Sequence, residues 1–415
     1  MRLGYLWLAV RHLTFDRFWQ YANDTHLYLL VAQHIQSFHP MGDYGLLRIG
    51  PGYGLILAGV QSIFGQNPIF PILFSITMGA LAPVFVYLLG FYLTKNRIVA
   101  LAAGLFSAVS LTSVALSCHI LTDQPFFTFH LAALVCYVLG YRTGRIRWFV
   151  IAGLVAGYAA YIRPVGQMWP YLFFLIPLIL PRQEKFNSRW DMLKKAWITA
   201  AVMLVMVMGW SARNYIVHDQ FTFGTNGILT VRSCLVAQVT AEHTEGMDVV
   251  KYRDIWEEED GDRNLERYEG AASRAKARVM QAIEKYPGAI FRAYFRNVED
   301  NVKAANYYAQ RQIPELEGFM SWLNSALRKW LWLVIIIATL AGAGFLWRDK
   351  NYLATVLLGV TYLYFTLILG ASFWQGSRLH YPAEMAWSIL AAYAVYRMWG
   401  ILKPLILRAT SRTES

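Results

Sequence analysis

Asp24 and Arg48 are the residues near the N-terminus whose side chains are best suited to chemistry. Asp24 stands just before a short amphipathic run, and Arg48 precedes the turn Pro51-Gly52-Tyr53. A carboxylate can accept a proton from a nucleophile, and a guanidinium can bind phosphate through paired hydrogen bonds. Most of the chain around them consists of long apolar segments. This arrangement predicts a reactive site on one face of a membrane.

The composition is that of a membrane protein. Of 415 residues, 56% are hydrophobic and only 15% are charged, whereas a soluble domain has about a quarter charged residues. The net charge of +12 lies in short connections between apolar runs, as the positive-inside rule describes, so no nucleic-acid partner is expected. Cys118, Cys136 and Cys234 include no pair with metal-binding spacing, so we expect no structural zinc site.

Apolar segments predict about ten transmembrane helices, since each crossing needs about 20 residues. The segments cover 3–18, 68–94, 98–118, 124–140, 148–162, 165–181, 196–212, 328–346, 352–371 and 383–402. The first is short and is interrupted by Arg11 and His12. Residues 51–65 are apolar but too few to span a bilayer, which predicts an interfacial or re-entrant helix.

Lysine and arginine residues predict which connections face the cytoplasm. They cluster in every second connection, over 95–97, 142–147, 182–195, 348–350 and 403–412. The positive-inside rule places these connections and both termini in the cytoplasm. The alternate connections then face the outside of the cell, and they include the long hydrophilic stretch 213–327.

The chain is therefore expected to have three parts. Residues 1–212 form an N-terminal transmembrane domain whose first extracytoplasmic loop, about 19–67, is catalytic. Residues 213–327 form an extracytoplasmic, mostly helical domain, in which 264–283 have helical spacing that ends at Pro287-Gly288. Residues 328–415 form the C-terminal transmembrane helices and a short cytoplasmic tail. The acidic run 257–260 lacks the spacing of a calcium loop and is interpreted as a solvated face.

Ionisable residues from separate connections converge on the extracytoplasmic face in this topology. They are Asp24, Arg48, Asp123, Arg163, Arg213, Arg378 and His380. Charged groups at membrane depth are costly and by default mark a functional site. Two structural alternatives stay open. Asp123, followed by Gln124-Pro125, has the pattern of a helix N-cap, and Arg213 has that of a snorkelling interfacial side chain.

The order of these motifs resembles the GT-C superfamily of integral-membrane glycosyltransferases. Within it, the bacterial branch related to protein O-mannosyltransferases and the lipid A aminoarabinose transferase is most similar. The motifs are the acidic first loop, Arg-x-x-Pro-Gly-Tyr, Thr-Asp-Gln-Pro, Ile-Arg-Pro, Trp-Ser-Ala-Arg-Asn-Tyr and Ser-Arg-Leu-His-Tyr-Pro. The chain departs from the pattern in its short first span. It also has Asn23-Asp24 where relatives often have two adjacent acids, which leaves Asp24 as the only acid of that motif.

The resemblance implies an all-α polytopic membrane protein with a GT-C-like helical bundle and one extracytoplasmic domain. It implies an inverting hexosyl- or pentosyltransferase of the cytoplasmic (inner) membrane, with its active site facing the periplasm or the outside. The expected partners are the lipid bilayer, a polyprenyl-phosphate sugar as donor, and a lipid, glycan or protein as acceptor. A divalent metal is compatible with such a reaction, but no motif indicates one.

Each candidate residue has an expected role in such a transfer. The acceptor needs a base, and the departing phosphate needs cationic groups. Asp24 is expected to be the general base, and Asp123 is expected to bind sugar or acceptor or to position an arginine. The candidates for binding the donor phosphate are Arg48, Arg163, Arg378 and His380. Tyr53 and Arg213 are accessory candidates.

Two other functions share some of these features. A transporter or flippase of a lipid-linked sugar would need polar residues near the bilayer midplane and repeated halves, and the sequence has neither pattern. An oligosaccharide polymerase or ligase would share the outward-facing site. It would differ in the size of the group that it moves, which the sequence does not specify.

Overall fold

The computed structural model describes residues 1–22, 24–37, 44–244, 248–259, 270–304, 311–373 and 376–413. These residues form helices joined by turns, and there is no β-strand among them. Helices suit a chain this apolar because their backbone hydrogen bonds are satisfied within each segment. The all-α class predicted from the sequence is confirmed.

The described residues of the first half of the chain form twelve helices. They are α1 (Arg2–Leu13), α2 (Phe15–Trp19), α3 (Thr25–Gln36), α4 (Tyr44–Ile49), α5 (Gly52–Phe64), α6 (Ile69–Thr94), α7 (Arg97–Val109), α8 (Leu111–Ser117), α9 (Asp123–Thr143), α10 (Ile146–Ile162), α11 (Trp169–Ile179) and α12 (Arg189–His218). A 3-10 turn, Pro164–Met168, joins α10 to α11.

The second half begins with short helices and ends with long ones. They are α13 (Asn226–Thr230), α14 (Ala237–Glu242), α15 (Val249–Glu259), α16 (Ala271–Lys285), α17 (Pro287–Val302), α18 (Glu317–Ala326), α19 (Trp332–Arg348), α20 (Tyr352–Leu367) and α21 (Ser377–Thr413). Single π-helical segments, Val231–Val236 and Leu327–Leu331, join α13 to α14 and α18 to α19. A 3-10 turn, Ile368–Ala371, follows α20.

Six helical segments of the described residues are long and apolar enough to cross a membrane. They are Ile69–Thr94, Asp123–Thr143, Arg189–His218, Pro314–Arg348, Tyr352–Ala371 and Ser377–Pro404. The helices α7 and α8, bent by 52° at Ser110, make a seventh if they are counted as one broken span. The predicted spans 148–162 and 165–181 appear as shorter apolar helices, and so does the predicted interfacial segment 51–65.

The first predicted span, 3–18, is divided in the structure. Thr14, at a φ of 61°, separates α1 from α2, and α1 has only 12 residues. Polar contacts attach α1 to its neighbours: Arg2 Nη2 donates to Ser113 Oγ at 2.9 Å, and Tyr5 Oη donates to Gln312 Oε1 at 2.8 Å. The helix therefore packs beside the start of α8 as one piece of a broken segment.

A tight turn brings the first loop against the end of α10. Gly50 has a φ of +80°, a left-handed conformation that side chains disfavour. A Cβ on Gly52 would lie 2.6 Å from the backbone of Tyr161 and of Ile162. Only glycine allows this approach, and it places Tyr53 and the end of α4 next to the residue that follows α10, Arg163.

The helices α13–α17 pack in small clusters, one of which includes Leu47 of α4, and α17 is attached to the membrane-spanning part. Asn301 Nδ2 donates to the Ser372 carbonyl at 2.7 Å, and Asn297 Nδ2 donates to the Gly370 carbonyl at 3.3 Å. These bonds satisfy carbonyls at the end of α20 that a terminated helix leaves unpaired. The predicted helix at 264–283 corresponds to α16, although 260–269 lie outside the described residues. Its end before Pro287 is confirmed.

Candidate functional site

Asp123, the first residue of α9, is the buried centre of the candidate site. Its side chain is 2% exposed and forms an ion pair with Arg163 Nη1. Both of its oxygens also accept from Arg378 Nε, at 3.3 and 3.2 Å. Burying a carboxylate is tolerable only when charges and hydrogen bonds compensate for lost water. Asp123 therefore holds Arg163 and Arg378 together.

The N-cap interpretation of Asp123 is wrong. The N-cap residue of α9 is Thr122, and Asp123 lies inside the first turn. No side chain caps this end of the helix through a hydrogen bond. The Asp123 carboxylate contacts guanidinium groups from other segments of the chain instead.

Asp24 occupies the N-cap position of α3 but does not cap it. Its Oδ2 accepts from Arg378 Nη2 at 3.0 Å, and its side chain is 48% exposed. The guanidinium of Arg378 thus bridges a buried acid and an accessible acid. Asn23, the other residue of the first-loop motif, lies outside the described residues.

Arg163 reaches the site because the chain leaves α10 in an extended conformation. Its φ is −143° and its ψ is 116°, as expected for a residue before proline. Its side chain is 20% exposed. Apart from the bond to Asp123, its guanidinium forms no hydrogen bond with the described residues. The remaining N–H groups of Arg163 are available to a ligand.

Arg48 is placed by the segment that follows α12. Its Nε donates to Asn226 Oδ1 at 3.5 Å, and the Leu47 carbonyl accepts from the Thr225 amide at 3.1 Å. Gly224 lies so close that a Cβ there would be 3.4 Å from the Arg48 carbonyl and 3.3 Å from Pro164. Arg48 therefore lies beside the turn that begins at Arg163.

Tyr53 joins the site through Tyr28. Its side chain is 1% exposed, and its ring packs edge-on against that of Tyr28, with centroids 5.1 Å apart. The Tyr28 and Thr122 hydroxyls are 3.3 Å apart, and Thr122 directly precedes Asp123. Tyr53 is thus a buried wall of the site.

His380 and Arg213 contact residues outside the group around Asp123. His380 Nε2 lies 3.0 Å from Thr366 Oγ1. Arg213 lies over the Trp210 ring, 4.9 Å from its centroid, and Nη1 donates to Asn214 Oδ1 at 2.9 Å. The four residues that form one network are Asp24, Asp123, Arg163 and Arg378.

A second polar layer, which the sequence analysis missed, lies between α8 and α21. Tyr381 Oη donates to Ser113 Oγ at 2.9 Å, and Ser110 Oγ donates to Glu384 Oε1 at 2.7 Å. Tyr381 and Glu384 follow Arg378 at helical intervals of three residues, which places them on one side of α21. An acid inside an apolar span by default marks a functional site. Glu384 could have been identified from the sequence on this ground.

His119 is a buried histidine between α8 and α9. Burial lowers the pKa of His119 to about 4, although a hydrogen bond with Gln312 opposes the shift. Its Nε2 lies 3.2 Å from Gln312 Oε1, and its ring stacks on Phe18 with centroids 4.8 Å apart. His119 is therefore neutral at pH 7 and packs near the network.

In the part of the chain that the structure describes, no group of three or more His, Cys, Asp or Glu side chains is arranged to hold a metal ion. The acidic run lies at the end of α15, where Glu259 pairs with Arg278 at 2.6 Å. Asp260, the last acid of that run, lies outside the described residues.

One family model matches the sequence. Residues 48–211 match the model of the dolichyl-phosphate-mannose-protein mannosyltransferase family. This range includes Arg48, Asp123 and Arg163. A search of curated proteins finds no significant match.

Solved archaeal oligosaccharyltransferases have a similar fold. The Archaeoglobus fulgidus oligosaccharyltransferase, in complex with zinc and sulfate, is 14% identical with a TM-score of 0.51, over 97% of this chain and 49% of that one. AglB of the same organism, in complex with an inhibitory peptide and a dolichol-phosphate, is 13% identical with a TM-score of 0.53, over 99% and 51%. The chain thus spans about half the length of these proteins. ArnT from Cupriavidus metallidurans, bound to undecaprenyl phosphate, is 15% identical with a TM-score of 0.41, over 97% and 78%.

Proposed function

We propose that this chain belongs to the GT-C superfamily of membrane glycosyltransferases and that it transfers a sugar from a polyprenyl-phosphate donor to an acceptor with inversion. The acceptor is a lipid, a glycan or a protein that carries a free hydroxyl or amine. The reaction takes place on the extracytoplasmic face of the cytoplasmic (inner) membrane. The family match and the positions of basic residues in every second connection support this assignment.

One observation carries the proposal: the network joins an accessible acid, a buried acid and two arginines from four distant parts of the chain. Transfer from a lipid phosphate needs a base for the nucleophile and cations for the leaving phosphate. The network contains both kinds of group, and they differ in exposure. Because the two acids differ in exposure, we assign them separate roles.

Asp24 is the proposed general base. Its Oδ2 is held by Arg378, whereas its Oδ1 forms no hydrogen bond with the described residues. The acceptor's oxygen or nitrogen forms a bond to the anomeric carbon, while the bond between that carbon and the phosphate oxygen breaks. The acceptor proton passes to Asp24, and the electron pair of the broken bond leaves with polyprenyl phosphate. One displacement of this kind inverts the anomeric centre.

Arg163 and Arg48 are the proposed contacts of the donor phosphate. Arg163 uses one nitrogen for Asp123 and presents the rest of its guanidinium, while Arg48 lies beside the Pro164 turn. Guanidinium groups stabilise charge that develops on a leaving phosphate. Arg378 and His380, the other two candidates for binding the phosphate, lie on α21. We assign Arg378 the further task of holding both acids in place. Asp123 is a positioning residue, because both of its oxygens are engaged.

The experiment is a turnover assay in lipid nanodiscs. The purified protein is incubated with polyprenyl-phosphate hexoses and a membrane glycolipid extract, and mass spectrometry follows release of bare polyprenyl phosphate and appearance of a glycosylated product. Comparing glycolipids from cells with and without the gene identifies the sugar and acceptor. Release of polyprenyl phosphate that stops in Asp24→Asn is the expected result. Movement of intact donor across proteoliposomes, with no bond broken, would overturn the proposal in favour of a flippase.

A further inference from the structure

Two buried hydroxyls beside the site lie near each other but form no hydrogen bond of normal geometry. Tyr53 is 1% exposed and Ser75 is 0% exposed. The Tyr53 hydroxyl faces that of Ser75, but neither makes a hydrogen bond of normal geometry. Buried polar groups are nearly always paired, because an unpaired one loses its bonds to water without replacement. Two unpaired hydroxyls that face each other therefore need a physical explanation.

The two hydroxyls adjoin the network of Asp24, Asp123, Arg163 and Arg378. Tyr53 stands in the first turn of α5, directly after the Gly52 contact with the end of α10. Its ring packs on Tyr28, and the Tyr28 hydroxyl reaches Thr122, the residue before Asp123. Ser75 lies in the second turn of α6. A ligand group at these hydroxyls would thus lie near the site, separated from Asp123 by the contact of Tyr28 with Thr122.

The chemistry of this pair suits a neutral group. Each hydroxyl can donate one hydrogen bond and accept others, and neither contributes a charge to bind an anion. A sugar hydroxyl also donates and accepts, so one such group can satisfy both side chains. We infer that Tyr53 and Ser75 form a subsite for a hydroxyl group of the sugar that the lipid donor carries. This inference rests on the proposed function and specifies which residues recognise the sugar.

Binding measurements with two kinds of lipid separate this subsite from the phosphate contacts. The probes are polyprenyl phosphates carrying mannose, glucose or galactose, and bare polyprenyl phosphate, titrated against the full protein in nanodiscs. In Tyr53→Phe and in Ser75→Ala, affinity for the preferred glycosylated probe should fall about 3- to 10-fold, the range for one neutral hydrogen bond. Affinity for bare polyprenyl phosphate should not change.

Thermal stability gives a second readout. If the two hydroxyls had a structural role, their removal would lower the melting temperature. Removing an unpaired buried hydroxyl also removes its unfavourable burial, so both variants should melt at the wild-type temperature or above. Ser107→Ala is the matched control, because Ser107 on α7 is also buried and without a hydrogen bond but is not among the residues assigned to the site. It should leave affinity for both probes unchanged.

The outcomes distinguish the two proposals. Wild-type protein that binds neither probe would show that the donor class in the proposed function is wrong. Wild-type protein that binds both, with a ratio of affinities unchanged in Tyr53→Phe and Ser75→Ala, would overturn the subsite alone. Equal loss for both probes in these variants would also overturn it, because the hydroxyls would then support the site as a whole.

Discussion

Arg378 Nη2 lies 3.0 Å from Asp24 Oδ2, although the two residues are 354 positions apart. The same guanidinium bonds both oxygens of Asp123. Asp24 is 48% exposed and Asp123 is 2% exposed. One arginine therefore connects an acid that a substrate can reach with an acid that it cannot, and the two acids should respond differently to the same substitution.

Asp24→Asn should abolish transfer while membrane insertion, thermal stability and donor binding are preserved. Asparagine keeps the size of the side chain but cannot accept a proton, and loss of a general base typically costs about 100- to 10,000-fold. Its ion pair with Arg378 is half exposed, so little stability depends on it. Turnover in nanodiscs and the melting temperature of the same preparation check the two parts.

Asp123→Asn is the comparison for that result. It should lower the melting temperature as well as activity, because it leaves Arg163 and Arg378 without their buried carboxylate. Near-normal turnover in Asp24→Asn, together with a folded but inactive Asp123→Asn, would exchange the two roles.

Arg163→Ala and Arg48→Ala should weaken use of the polyprenyl-phosphate donor. A hydrogen bond to a charged group contributes about 1.5 to 3 kcal/mol, which corresponds to roughly 10- to 150-fold in binding. Titration with bare polyprenyl phosphate measures the effect without any turnover. Arg97→Ala is the control, because Arg97 is exposed at the start of α7. Unchanged donor dependence in both site variants would remove these arginines from the phosphate contact.

Residues 213–327 should face the outside, and residues 182–195 should face the cytoplasm. The reason is the alternation of basic connections. Reporter tags at Lys276 in α16 and at Lys185 before α12 should be accessible from opposite sides of the membrane. Both positions lie in described parts of the chain. Accessibility from the same side would contradict the topology and the outward orientation of the site.

Acidification should destabilise the protein through His119. Burial holds its pKa at about 4, below the ordinary 6.5, so the folded protein binds fewer protons than the unfolded chain between these values. The stabilising contribution is complete above about pH 6.5 and decreases toward pH 4, by about 1.4 kcal/mol per pH unit. His119→Gln should flatten this part of the melting profile, with His26→Gln on the exposed face of α3 as control. An unchanged profile in His119→Gln would assign the acid sensitivity to other groups.

The candidate residues were accessible to sequence analysis because each belongs to a short motif at the end of an apolar segment. Asp24, Asp123, Arg163 and Arg378 were all identified in this way, and the structure brings them together. Their pairing was not predicted, because Arg378 could equally have bound a ligand alone. Glu384 was missed because a single acid hardly changes the mean hydropathy of a long apolar segment.

The all-helical membrane class and several helix limits could be predicted from the sequence alone, such as the end of α16 before Pro287. Apolar length and helix punctuation are properties of consecutive residues, so they can be read along the chain. The folded structure was needed to show that the first span breaks at Thr14, that Asp123 is buried between two arginines, and that the Tyr53 and Ser75 hydroxyls form no hydrogen bond of normal geometry. These features depend on which distant segments pack together. Close approaches such as that of Gly52 to α10 set that packing, and local sequence patterns do not encode it.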